Sequence, residues 1–89
     1  MKKTPTREHI ADINPDAILW DGFDEALIGI TDCGKAVYDV HKMELILSRD
    51  MTFEEASEYV SYNILEAYVG EFTPIHVWVH PKYKNNQKV

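Results

Sequence analysis

Two aliphatic runs, residues 25–31 and 36–40, flank Asp32-Cys-Gly-Lys35, a spacing that reads strand, four-residue turn, strand. Gly34 is the natural place for a positive φ, and Asp32 can close the turn with its side chain. A hairpin followed at once by helix signals commits so short a chain to one α+β domain. Asp39 can cap a short helix reaching about Arg49, with Val40, Met43, Ile46 and Leu47 on one apolar face. In Met51-Thr-Phe-Glu-Glu-Ala56, Thr52 and Glu55 form a capping box, with Met51 and Ala56 at the staple positions. Phe53, Ala56, Val60, Ile64 and Ala67 then fall in one stripe, and Gly70 is the expected stop.

After Thr73-Pro74, the run Ile75-His-Val-Trp-Val-His80 alternates strictly and predicts a third strand that ends at Pro81. The expected fold is a ββααβ domain, a three-stranded mainly antiparallel sheet with two helices on one face. Its boundaries are a flexible arm over residues 1–15, the domain over 16–81 and a polar tail over 82–89. In this reading Ile75, Val77 and Val79 enter the core, and His76, Trp78 and His80 lie on the face that the helices leave bare, beside Leu27. Tryptophan among histidines on an open sheet makes a contact surface, so Leu27, His76, Trp78 and His80 are assigned as a partner or dimer face. Small domains often complete their cores by pairing, which makes a homodimer the expected state.

Charge narrows the choice of partner. Residues 11–71 carry fourteen Asp and Glu against Lys35, Lys42 and Arg49, a balance of −11, while both ends are basic and the whole chain is −6. An anionic body repels phosphate backbones, so no direct nucleic-acid contact is expected. One cysteine makes no disulfide framework, which suits a reducing cytoplasm. Apolar runs such as residues 26–30 are too short to cross a bilayer, and Met1-Lys-Lys3 leads into polar residues, so neither a leader nor a membrane partner is expected.

Chemistry-bearing residues are few. His76 and His80 stand about 13 Å apart along a strand and cannot share an ion. With no Cys pair, His-Glu-x-x-His helix or calcium-loop pattern, no metal and no cofactor are assigned. Cys33 beside Asp32 is a poor nucleophile, and no serine elbow or phosphate-cradling loop is present, so no catalytic residue is assigned either. Asp21 and Asp24, with Asp16 and Glu25 on either side, surround Trp20, Gly22 and Phe23; the ordinary reading is that the acids cap turns while the aromatics pack inward. Together with Tyr38 and His76, Asp21 and Asp24 define a candidate ligand loop. Glu55, Glu58, Tyr62 and Glu66 form an acidic outer helix face that could imitate a run of phosphates toward a nucleic-acid-binding protein. Asn63, at the edge of the apolar stripe, is expected to tie its helix to a neighbouring strand or loop. Tyr38, Tyr59, Tyr62 and Tyr68 are expected as half-buried packing residues.

Asp21-Gly-Phe-Asp-Glu-Ala-Leu-Ile-Gly-Ile30, Val37-Tyr-Asp-Val-His-Lys42, Met51-Thr-Phe-Glu-Glu-Ala56 and Tyr68-Val-Gly-Glu-Phe-Thr-Pro-Ile75, taken in that order, resemble a family of small uncharacterised proteins encoded by phages and by bacteria carrying prophages. The resemblance covers roughly residues 18–77. His41 and the basic tail after Pro81 depart from it. It implies a short accessory protein of the bacterial cytoplasm and carries no assigned site residues. The expected function is therefore a non-enzymatic binding module acting on a host protein, as an antagonist of defence or transcription. Two alternatives are a nucleotide-like ligand sequestering or hydrolysing protein with a pocket at a subunit junction, and a virion or assembly component.

Overall fold

A computed structural model describes residues 6–79. Helix α1 (Arg7–Ile13) starts where the Thr6 hydroxyl accepts the His9 backbone N–H, and its Ile10 is fully buried. The described part of the expected arm is thus a docked helix. The chain then lays Ala17, Leu19 and Trp20 against the core and buries Phe23 before a single 3₁₀ turn, Asp24–Ala26.

Strands β1 (Leu27–Ile30) and β2 (Ala36–Asp39) form the expected hairpin, with Leu27 opposite Tyr38, Gly29 opposite Val37 and Ile30 opposite Ala36. Ile28 is the extra residue of a bulge. Gly34 takes φ +95 in the turn, but Thr31 and not Asp32 closes it, its Oγ1 accepting the Lys35 N–H at 3.0 Å. The Asn14 side chain donates to the Gly34 carbonyl at 2.9 Å and anchors the end of α1 on the turn.

Helices α2 (Val40–Leu47) and α3 (Phe53–Val60) begin as their sequences dictate. Asp39 caps α2 by accepting the Lys42 N–H at 3.2 Å, and both halves of the Thr52/Glu55 capping box are made. Val40, Met43, Ala56, Val60 and Ile64 bury as expected, whereas Phe53 is 46% exposed and meets the His41 ring edge-on. Beyond Val60 the coil widens into a π-helical stretch, Ser61–Leu65, and ends there, short of Gly70. Gly70, at φ +141, serves a later turn instead, in which the Thr73 hydroxyl donates to its carbonyl at 2.6 Å.

Strand β3 (Ile75–Val77) pairs with β2 in parallel, giving the order β1-β2-β3 with β2 central. The class is α+β as expected; the sheet is mixed, and α1 precedes the hairpin. The physical reason is connectivity. β2 runs directly into α2, and two helices return the chain to the start of β2, from which the next strand can only run alongside it. Among the described residues no helix is long and apolar enough to cross a membrane.

Register decides which face each strand residue takes. Side chains paired across a ladder share a face. Tyr38 is fully buried in the core with Leu27, Val40, Met43, Val60 and Ile64, so its ladder partners Leu27 and His76 point to the inward face, while Val37, Gly29 and Ile75 occupy the other. A methyl added at Gly29 would meet no atom within 4 Å, which marks that face as open. The expected facing of the last strand is therefore inverted. A period of two gives two phases of equal merit, and pairing with Tyr38 selects the one that brings His76 inward.

Candidate functional site

The inward row gathers an aromatic stack. His76 lies between Trp20 and Tyr38, with ring centroids 6.0 and 6.4 Å away and planes 18° and 26° from its own. Trp20 Nε1–H donates to His76 Nε2 at 2.9 Å, and the Trp20 backbone N–H donates to the Tyr38 hydroxyl, also at 2.9 Å. An Nε2 that accepts belongs to a neutral ring with its proton on Nδ1. Burial lowers the His76 pKa from its ordinary value and so favours that form. Burial raises the Tyr38 phenol; the Trp20 amide that it accepts from and the Arg7 charge work against this.

Arg7 supports the stack from α1. Its Nε donates to Asp24 at 2.8 Å, and its terminal nitrogen donates to the Trp20 carbonyl at 3.0 Å and to Asp21 at 3.2 Å. The Asp24 bond is the main cause that pushes the guanidinium further up. Asp21 is fully solvated, so that contact adds little. Asp21, Asp24 and Tyr38 of the candidate ligand loop are thus brought together around Arg7 and Trp20, the two carboxylates exposed and Tyr38 fully buried. The ordinary reading of Trp20 and Phe23 as inward packing holds.

The residues of the expected partner or dimer face are not all exposed. Leu27 is fully buried, His76 is half-buried in the stack, and Trp78, just past the end of β3, is 59% exposed. His80 lies outside the described residues. Leu27 and His76 are thus taken up by the inside of the domain, while Trp78 stays at the surface.

The acidic helix face fares differently. Met51, Glu55, Glu58, Tyr59, Tyr62 and Asn63 line an open groove of about 480 Å³ along α3 and its π-helical extension. Tyr62 is 73% exposed and Tyr59 45%, and Tyr68 is exposed too, so only Tyr38 of the four tyrosines packs inside. Glu66, the fourth residue of the expected face, is not among the groove residues. Asn63 is exposed and donates to the Tyr59 carbonyl of its own helix at 3.1 Å, in place of the expected tie to a neighbouring element.

Sequence reasoning passed over Arg7 and Glu44. Glu44 is 4% exposed and accepts from the Ser57 hydroxyl at 3.1 Å, joining α2 to α3. It sits four residues after Val40 and beside Met43, so the helical period already placed it on the inward stripe. Among the described residues, no group of three or more His, Cys, Asp or Glu could hold a metal ion.

Fold and groove together define a small α+β domain that presents tyrosine and glutamate on an outer helix. Comparison with protein-family models, with curated proteins and with solved structures yields no match for this chain.

Proposed function

We propose that this chain is a non-enzymatic binding module, an accessory protein of phage or prophage kind, that docks through the α3 groove onto a basic surface of a bacterial host protein. The observation that carries the reading is the pairing of exposed Tyr59 and Tyr62 with Glu55 and Glu58 along one open groove. Tyrosine offers a large amphipathic contact at small entropic cost, because only two torsions are frozen. The glutamates attract lysine and arginine and steer encounter, while the −11 balance of residues 11–71 repels competing nucleic acid. A host surface that normally holds phosphates is the natural counterpart, and its occupation would antagonise transcription or defence.

Affinity capture from bacterial lysate at low and high salt tests this, with wild type beside Tyr62→Ala, Glu58→Lys and Trp78→Ala. The expected result is a protein retained by wild type and Trp78→Ala, lost with either groove variant, weakened by salt and displaced by DNA or RNA. Capture that is equal across all four chains would overturn the reading, and so would the absence of any protein above background.

A further inference from the structure

Among the described histidines, His9 and His41 are exposed, and His76 alone is drawn into the inward face. Its contacts also join three parts of the chain. Trp20 is the shared node: its indole reaches β3, its amide reaches β2, and its carbonyl receives Arg7 of α1. We propose that His76 is a pH-operated latch, whose protonation releases the Trp20 indole from β3.

Geometry supplies the mechanism. A proton added at Nε2 points one N–H at another, at a site where the Trp20 indole has no other described acceptor. The bond is lost, and the new charge sits between two rings. The groups that face the imidazole are the Tyr38 phenol from β2 and the Trp20 indole from the 17–23 segment, neither of them charged. Behind them Arg7, Asp21 and Asp24 pair with one another, and no described salt bridge involves His76. Attraction of a cation to aromatic faces works in the opposite direction. Centroids at 6.0 and 6.4 Å, however, lie at or beyond the range of about 6 Å over which it acts.

Burial gives the same sign. With the folded pKa below the ordinary value of about 6.5, the unfolded chain takes the proton first. Stability from neutral His76 is therefore whole above about 6.5 and lost as pH falls through the folded pKa.

NMR on the full chain between pH 8 and 5 tests the latch, with the His76 ring and both indole N–H groups assigned. The exchange rate of the Trp20 indole is read relative to that of exposed Trp78, which cancels the intrinsic pH dependence. His76 is expected to titrate below about 6.5, and the Trp20-to-Trp78 ratio to rise by about tenfold across that titration, the worth of one hydrogen bond. His76→Gln keeps an acceptor that does not titrate, and its ratio is expected to stay flat. A His76 titration at or above 6.5 would overturn the proposal, as would an unchanged ratio while His76 titrates. Should His76→Gln not fold, the two wild-type signals still decide.

Discussion

Tyr38→Phe isolates the most buried polar contact in the stack. The ring is fully buried in the central strand, between Leu27 and His76, and the substitution keeps it there, so no cavity opens. What is removed is the oxygen that accepts the Trp20 amide at 2.9 Å. A buried donor left without a partner costs about 1–3 kcal/mol, and Trp20 is only partly buried, which places the cost at about 1–2 kcal/mol. With a urea m-value of about 1 kcal/mol/M for a chain this small, the midpoint falls by about 1–2 M at pH 7 with m unchanged. The alkaline limb gives a second check. Burial holds the folded phenol above the usual value of about 10, so the unfolded chain ionises first and the wild type loses stability as pH rises past that point. The variant lacks this phenol, and the gap between the two narrows there. A variant within about 0.5 kcal/mol of wild type at pH 7 would refute the reasoning.

Three further substitutions test the rest of the fold. Gly34→Ala forces alanine to φ +95 and sets its Cβ 2.6 Å from Asn14 Nδ2. Strain of about 1–2 kcal/mol plus the lost anchor gives about 2–3 kcal/mol, read as a Tm drop of more than about 8 °C; a drop under about 3 °C would contradict the turn geometry. Thr52→Ala removes the cap of α3 and is expected to cost about 1 kcal/mol by thermal melting, with an unchanged Tm counting against the capping box. Trp78→Ala, at a 59% exposed position, is expected to stay within about 0.5 kcal/mol and to leave the mass by light scattering unaltered. A shift from dimer to monomer would restore Trp78 to an interface.

What could be read from the sequence follows from the range of each interaction. The hairpin, the Asp39 cap, the Thr52/Glu55 box and the burial of Met43 and Val60 rest on neighbours within a few residues, and all were legible. The phase of β3 was not, because it depends on partners far away: Tyr38 in β2 and the Trp20 indole, 56 residues before His76. A signal was present in composition, since an inward tryptophan needs an acceptor and a neutral histidine is among the few rings that offer one. The groove divides in the same way. Glu55, Glu58 and Tyr62 follow from the period of one helix, while Glu66 falls past the π-helical stretch, where each residue turns through a smaller angle than the α-helical period assumes. A periodic pattern therefore identifies a face only as far as the winding that defines it persists, and contacts from outside the segment set which face is inward.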